Sequence, residues 1–273
     1  MKTAIFLTAV LSLILGTSGC QTLNDSADNT AASDPATDLS VARAFLDSGR
    51  PDKAMYELKI LLQKNPKNCD AQSLMGLTQL ALRNPKRALL HLQTAWNLEQ
   101  KSQHALNLSS ALIETKQYEA AQKLIIKGLS LKENPPYLHK ERFLHNLGLI
   151  AERKGRLDAA QKAFRKALEE NPTFYLSRAR LAEIMANQGK VEEAREEWEL
   201  ARASCPSCFD AIANLAKYYR SQGDLKTAVG LVKDFKKIEG LNPVESQKAS
   251  ELERELLKER SKIADHSNAL KMR

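Results

Sequence analysis

An alanine recurs along this chain at intervals of about 34 residues, and this spacing constrains the fold more than any other feature. The successive steps are 34, 33, 39, 34 and 34 residues. The six positions are Ala54, Ala88, Ala121, Ala160, Ala194 and Ala228. A period of this length is typical of stacked two-helix hairpins. One hairpin cannot bury its apolar face alone, so the spacing predicts an all-α array in which each hairpin packs on the next.

Other residue types keep the same register, most completely in the unit from Glu141 to Pro172. Its recurring positions are Leu147, Gly148, Gly155, Ala160, Phe164, Ala167 and Pro172. The equivalents in the next unit are Leu181, Ala182, Gly189, Ala194, Trp198, Ala201 and Pro206. These offsets resemble the tetratricopeptide repeat pattern over residues 39–240. The resemblance implies a right-handed superhelical solenoid of about six helix-turn-helix repeats, whose concave wall binds other proteins.

Each recurring residue type has a physical explanation. The position of Gly148, Ala182 and Ala216 is small because the first helix of a hairpin crosses the second closely there. A glycine such as Gly155 ends the first helix, where a left-handed conformation costs little without a β-carbon. Large side chains such as Phe164 fill the space between hairpins. So many matches in one register disfavour an unrelated helical bundle with accidental spacing.

Two units depart from the pattern. The second has Arg83-Asn84-Pro85 where the others have a glycine turn. The third is followed by an insertion from Lys132 to Tyr137, which explains the 39-residue step. The insertion contains Pro135-Pro136, and consecutive prolines cannot continue a helix. It either widens the binding groove at this junction or caps the end of a helix.

Residues 1–19 have the features of a targeting segment. Lys2 precedes an apolar stretch of 12 residues, from Ala4 to Leu15, and Thr17-Ser18-Gly19-Cys20 follows. This ending resembles a bacterial lipoprotein signal, which is cut before the cysteine that carries the lipid, here Cys20. The alternatives are an ordinary secretory signal and a retained anchor. The apolar stretch is shorter than the roughly 20 residues that a membrane-spanning helix needs.

The segment 20–38 is rich in Asp, Asn, Thr, Ser and Ala, and it predicts a flexible polar tether. Gln21 follows Cys20, whereas lipoproteins kept in the inner membrane commonly have aspartate at that position. The resemblance therefore implies an outer-membrane lipoprotein that faces the periplasm. Acyl chains on Cys20 would provide stable anchoring, since more than one chain is present.

The C-terminal region, 241–273, lies beyond the repeats. From Pro243 to about Ile263 it is charged and amphipathic, with Leu252, Leu256 and Leu257 on one side. This pattern predicts a capping helix that covers the open apolar end of the array. Residues 265–273 are predicted to form a mobile basic tail.

The formal net charge is +8. Basic and acidic residues alternate within the repeats, and no basic stripe is interleaved with aromatic residues, so nucleic acid is not an expected partner. The excess charge indicates either solvated helix faces or attraction to an acidic partner or a membrane surface.

Cys205-Pro206-Ser207-Cys208 is the most specific candidate for a chemical site in this sequence. Its spacing is compatible with a redox pair, half of a zinc site or a local disulfide. A redox pair usually lies in a βαβ unit, and a structural zinc site needs two more ligands. In an oxidising periplasm the motif favours a structural disulfide between the fifth and sixth units. Cys69 is left over, and we expect it to be a small buried residue.

The rest of the sequence predicts a protein that is not an enzyme. It has no glycine-rich phosphate loop, no nucleophile elbow and no convincing carboxylate pair. Its five histidines show no i, i+4 pairing, so we expect no metal site. Nothing indicates a cofactor or a small-molecule substrate.

The repeat register places candidate partner-binding residues on the first helix of each hairpin. They are Arg142, His145, Asn146, Leu149 and Glu152 in the fourth unit, Glu183 in the fifth, and Asn214, Lys217 and Arg220 in the sixth. Asparagine recurs at 107, 146 and 214, where its amide can bond an extended peptide backbone. Asparagine is also common there in the repeat generally, so a structural role stays open.

The lipoprotein signal, the polar tether and the repeats together resemble the type IV pilus pilotins, and so does the proline-bearing break Asn134-Pro135-Pro136-Tyr137. The Leu144-His145-Asn146-Leu147-Gly148 segment follows that break. The resemblance implies a lipoprotein that binds the secretin subunit and promotes its outer-membrane targeting and multimerisation. Two alternatives remain: a scaffold for periplasmic proteases or cell-wall enzymes, and a thiol-dependent factor in which Cys205 and Cys208 cycle.

Overall fold

The computed structural model describes residues 35–133 and 136–271, and within these ranges the protein has thirteen α-helices and no strand. The helices are α1 (Pro35–Asp47), α2 (Pro51–Lys64), α3 (Cys69–Ala81), α4 (Pro85–Leu98), α5 (Ser102–Glu114), α6 (Tyr118–Ser130), α7 (Lys140–Arg153), α8 (Leu157–Glu170), α9 (Tyr175–Asn187), α10 (Val191–Ser204), α11 (Phe209–Ser221), α12 (Leu225–Lys236) and α13 (Pro243–Lys271). The signal segment, Cys20, most of the tether and Asn134-Pro135 lie outside the described residues.

The helices form two compact units, each larger than a single repeat. The first unit ends at Ala160, and the second unit begins at Gln161 within α8. In the first unit α1 pairs with α2, α3 with α4 and α5 with α6, and α7 packs on the last of these hairpins. In the second unit α9 pairs with α10 and α11 with α12, and α13 packs on the final hairpin. Each unit therefore stacks helical hairpins as solenoid repeats do, and the all-α tetratricopeptide fold class is confirmed.

The packing explains the alanine period. All six recurring alanines, from Ala54 to Ala228, are 0% exposed. The position 12 residues earlier is buried in every hairpin and always small. Its occupants are Ala42, Gly76, Ser109, Gly148, Ala182 and Ala216. A β-carbon on Gly76 would lie 2.7 Å from Leu92 Cδ2 and closer still to Leu92 Cγ, so the paired helices of that hairpin leave no room for one.

The turns inside the hairpins use left-handed backbone as expected. Gly155, Gly189 and Gly223 have φ angles of 71°, 81° and 78°. The two hairpins without a glycine turn keep the same conformation, with Arg83 at 61° and Lys116 at 62°. The turn geometry is therefore set by the hairpin, and a residue with a β-carbon adopts it at some cost in conformational energy.

The C-terminal helix packs on the last hairpin in the way that the sequence predicts. Ala249 and Leu256 of α13 are fully buried in a cluster that includes Phe209 and Phe235, whose ring centroids lie 5.3 Å apart. Leu252 and Leu257 are partly buried against the same cluster. The apolar end of the final hairpin is thereby covered.

Two helix boundaries differ from the predictions. The first helix begins at Pro35, inside the predicted tether, because proline is well suited to the first position of a helix. The last helix continues through residues 265–271, which were expected to form the basic tail. The chain from Ser261 to Lys271 contains no glycine or proline that would end it.

Glu245, in the first turn of α13, is expected to make the stability of the second unit depend on pH. Burial raises the pKa of its carboxyl group above the ordinary value of 4.5, and the nearby Asp210 carboxylate adds to this effect against the opposing charge of Lys248. A raised folded-state pKa means that the group destabilises the fold when it ionises, as pH rises through that pKa. We therefore expect Glu245→Gln to stabilise the second unit at pH 7 and to have little effect below about pH 4.

Thermal unfolding at both pH values measures this effect, and Glu255→Gln is the matched control. Glu255 lies on the same helix and is exposed, so its replacement should leave the melting temperature nearly unchanged at either pH. Equal melting temperatures for Glu245→Gln and the unmodified protein at pH 7 would contradict the raised pKa of the Glu245 carboxyl group.

Candidate partner-binding surface

The structure places the predicted partner-binding residues on the first helices of three hairpins. Arg142, His145, Asn146, Leu149 and Glu152 lie on α7 in the first unit, whereas Glu183 on α9 and Asn214, Lys217 and Arg220 on α11 lie in the second. Both sets therefore lie on the helices that the repeat register predicts.

Much of the α7 set is buried. His145 and Asn146 are 0% and 1% exposed, and Arg142 is 7% exposed. Leu149 and Glu152 are partly exposed. Of the five residues, those last two are therefore the ones most accessible to a partner in this conformation.

The recurring asparagines bond the preceding hairpin. Asn107 Nδ2 donates to Ser73 Oγ at 2.9 Å. Asn146 Nδ2 donates to Ser109 Oγ and Ser110 Oγ at 3.0 and 3.1 Å. These amides thus link successive first helices, and such bonds satisfy polar groups that would be costly to bury unpaired. Binding of a peptide by the same amides stays a prediction.

In the second unit the same link involves a charged network. Asn214 Nδ2 donates to Glu183 Oε1 at 3.3 Å, and Arg180 Nη1 lies 2.7 Å from Glu183 Oε2. Arg180, which the sequence reasoning missed, is almost fully buried. The signal that would have found it is its i, i+3 spacing from Glu183, which brings the two charges onto one helix face.

Lys217 and Arg220 are the exposed members of the predicted set. Arg220 Nη2 forms an ion pair of 2.6 Å with Glu259 Oε2 of α13. Part of the predicted α11 surface is therefore in contact with the capping helix, and Lys217 is the more available cation.

Residues on either side of Asn134-Pro135 in the insertion contact neighbouring helices. The Glu133 carboxylate accepts a hydrogen bond from the backbone N–H of Ser102, at the first turn of α5. Tyr137 packs edge-on against Phe143, with 5.8 Å between ring centroids, and burial raises the pKa of its hydroxyl. Glu133 therefore caps the first turn of α5, in the preceding hairpin, whereas widening of the groove by the insertion stays a prediction.

The insertion also accompanies a close helix contact. A β-carbon on Gly128 of α6 would lie 2.6 Å from Phe143 Cζ and 2.9 Å from Ala105 Cβ. Phe143 is fully buried. The restart of the chain after the prolines thus inserts this ring into a space that only a glycine leaves open.

Cys205 and Cys208 form a disulfide with a Cα–Cα distance of 5.3 Å. Cys205 caps the end of α10, and Cys208 caps the start of α11. The bond therefore closes the loop between two hairpins, as a structural disulfide would. The thiol-dependent alternative requires both sulfurs to cycle through the free thiol.

Cys69 is buried as expected, but its sulfur is in a disulfide, so it is not the unpaired cysteine that the sequence predicts. Side-chain atoms of Cys69, Glu99 and His104 lie within 4.8 Å of one another. Burial lowers the pKa of His104, against the opposing effects of Asp70 and Glu99. The Glu99 carboxylate also lies 2.6 Å from Lys101 Nζ. Because the Cys69 sulfur is in a disulfide and cannot act as a thiolate ligand, we assign no metal to this trio.

In the described ranges, we find no helix that combines the length and apolar character needed to cross a membrane.

Comparison with known proteins gives the same fold. Tetratricopeptide repeat profiles match residues 105–135 and 151–215. No curated protein matches the chain in sequence. Among solved structures, Pseudomonas aeruginosa PilF is 19% identical with a TM-score of 0.54, and the match covers 78% of this chain and 95% of PilF.

Two further structures are similar. PilW, described as a widely conserved type IV pilus biogenesis factor, is 16% identical with a TM-score of 0.58, covering 77% of this chain and 97% of PilW. Human IFIT1, solved with PPP-AAAA, is 20% identical with a TM-score of 0.62, but the match covers only 53% of IFIT1. At these identities the likeness shows the fold, which is typical of protein-interaction scaffolds.

Proposed function

We propose that this protein is a type IV pilus pilotin: a lipoprotein that binds the secretin subunit and promotes its outer-membrane targeting and multimerisation. The observation that carries the proposal is that the hairpin array corresponds to nearly the full length of PilW, a type IV pilus biogenesis factor. The lipoprotein-like ending Ser18-Gly19-Cys20 and the proline-bearing insertion add support from the sequence.

The proposed mechanism is binding without chemistry. The first helices of the hairpins carry the polar residues that would contact a secretin segment, and hydrogen bonds such as Asn146 to Ser109 hold these helices in fixed register. A surface that is ordered before binding loses less conformational entropy when the partner docks. The hairpin stack would therefore act as a preformed chaperone surface.

The proposed acyl anchor determines at which membrane the protein is held. Acyl chains on Cys20 would hold the protein at the outer membrane, and the segment 20–34, which precedes α1, would let the hairpins reorient while the secretin ring assembles. Gln21 after the cysteine supports the outer membrane over the inner membrane. The bound secretin subunit would then travel with an outward-bound lipoprotein.

A charge reversal on α11 tests the binding surface. Lys217→Glu should reduce affinity for the secretin by about tenfold, equivalent to about 1.4 kcal/mol, if this exposed cation contacts the partner. The matched control is Lys226→Glu, because Lys226 is equally exposed but lies on the second helix of the hairpin. Affinity is measured by titrating purified protein with the purified secretin periplasmic domain.

The two variants must differ for the surface assignment to stand. Equal affinities for Lys217→Glu and Lys226→Glu would place the contact elsewhere. Tight binding of a periplasmic protease or cell-wall hydrolase, with no binding of secretin, would favour the scaffold function instead.

A further inference from the structure

The apolar stripe of α13 continues beyond the part of the helix that packs on the last hairpin. Ala249 and Leu256 are seven residues apart and fully buried. Ile263 is seven residues further along and is 58% exposed. Because seven residues make about two turns, Ile263 falls on the same face as the buried pair. The helix itself continues to Lys271.

Charges are arranged around this exposed apolar position. At about 100° per residue, Arg260 lies about 60° to one side of Ile263 and Lys262 about 100° to the other, whereas Asp265 lies on the opposite face. Arg260, Lys262 and Asp265 are all exposed. Glu259 is nearer the apolar face, but its carboxylate is 2.6 Å from Arg220 Nη2 and is thereby neutralised.

The net charge of this segment indicates what kind of surface can cover it. From Lys258 to Arg273 the sequence has five basic and two acidic residues. A second copy of the chain would bring like charges together, which disfavours self-association. Exposed cations beside an exposed apolar side chain are complementary to an anionic membrane surface, which offers both phosphate charge and apolar chains.

We propose that the end of α13, from Glu259 to Lys271, binds an anionic phospholipid surface through Ile263, Arg260 and Lys262. The helix lies in the interface, with Ile263 among the acyl chains near the headgroups and the two cations beside lipid phosphates. This contact goes beyond the proposed pilotin function and does not depend on it. If the anchor on Cys20 is present, the contact would orient the second unit toward the same membrane.

The strength of this contact follows from its charges. One basic residue near an anionic leaflet changes the partition coefficient by about fivefold, so removing two should reduce binding by about 30-fold. The attraction is screened over about 10 Å at 0.1 M salt, so binding should weaken as salt is added. Removing Ile263 should weaken binding at all salt concentrations, because its contribution is apolar.

The test uses the chain with Cys20→Ala and without the proposed signal, residues 1–19, so that neither an acyl anchor nor the apolar stretch Ala4–Leu15 can contribute. Co-sedimentation is measured with vesicles of phosphatidylethanolamine and phosphatidylglycerol, and with vesicles of phosphatidylcholine alone. The test variants are Arg260→Gln with Lys262→Gln, and Ile263→Ser. The matched control is Lys226→Gln with Lys233→Gln, which removes two exposed cations of α12.

We expect binding to the anionic vesicles only, a loss of about 30-fold in the Arg260/Lys262 variant, and near-normal binding in the α12 control. Equal losses in the two double variants would show a general charge effect and overturn the site. So would binding to phosphatidylcholine at the same level, or no vesicle binding at all. Because secretin is absent from this assay, its outcome is separate from that of the pilotin proposal.

Discussion

Replacing Gly76 by alanine should destabilise the first unit, because overpacking a close-packed core costs about 1–3 kcal/mol and at this crossing should exceed the roughly 1 kcal/mol that alanine gains over glycine in a helix. The added β-carbon would lie 2.7 Å from Leu92 Cδ2 and 3.2 Å from the Ala88 carbonyl oxygen. Leu92 is fully buried, so its side chain has no free space into which to move. The new methyl group must therefore separate α3 from α4 or force Leu92 from its rotamer.

The matched control is Gly230→Ala in α12. A β-carbon there would meet no atom within 4 Å, and the residue lies in a helix interior. Alanine is a better helix former than glycine by about 1 kcal/mol, so this variant should be more stable. The same chemical change is thus expected to have opposite signs at the two positions.

Urea unfolding followed by circular dichroism measures both effects, with separate transitions fitted if the two units unfold independently. A stabilised Gly76→Ala protein would contradict the close helix crossing. A destabilised Gly230→Ala protein would show that free space around a glycine does not decide whether alanine raises or lowers the free energy of unfolding.

Cys20→Ala, produced behind an ordinary secretory signal that is cut without this cysteine, is expected to cause a near-complete loss of the protein from the membrane fraction while leaving the hairpins folded. The reason is that the proposed acyl chains provide attachment, and the rest of the protein provides only weak contacts. Under the proposed function, the secretin subunit should then fail to reach the outer membrane. Fractionation measures membrane attachment, and palmitate labelling measures lipidation. The amount of secretin multimer in the outer membrane measures secretin targeting.

Gln21→Asp separates sorting from attachment. This variant keeps the cysteine, so it should still incorporate palmitate but remain in the inner membrane. If the unmodified protein incorporated no palmitate but stayed membrane-bound, the retained-anchor alternative would replace lipidation. Normal secretin rings in the Cys20→Ala strain would contradict the pilotin role.

The hairpin fold could be predicted from the sequence because its strongest constraint is local and repeated. A residue such as Ala88 lies where two helices pack closely, and each hairpin imposes that demand again 33 or 34 residues later, except at the insertion. The turns and the capping role of α13 follow from equally local signals, such as Gly155 and the apolar series through Leu256. Repetition turns weak single-residue preferences into a consistent pattern.

The details of the candidate surface were harder to predict because they depend on contacts between hairpins. The partner of Asn146 is a serine 37 residues earlier, and that distance depends on how the insertion folds. The contact of Phe143 with Gly128 has the same origin. Burial of His145 likewise follows from packing between helices, whereas register gives only the face on which it lies.

The most direct test of the central claim is crosslinking of the membrane-bound protein in cells, followed by identification of the captured partner. A photoreactive residue in place of Lys217 on α11 and a second one in place of Lys226 on α12 give a paired comparison, since both positions are exposed. If α11 binds secretin as proposed, we expect the secretin subunit as the main product from position 217 and a much weaker product from position 226. Capture of a periplasmic protease or cell-wall hydrolase from position 217, without secretin, would contradict it.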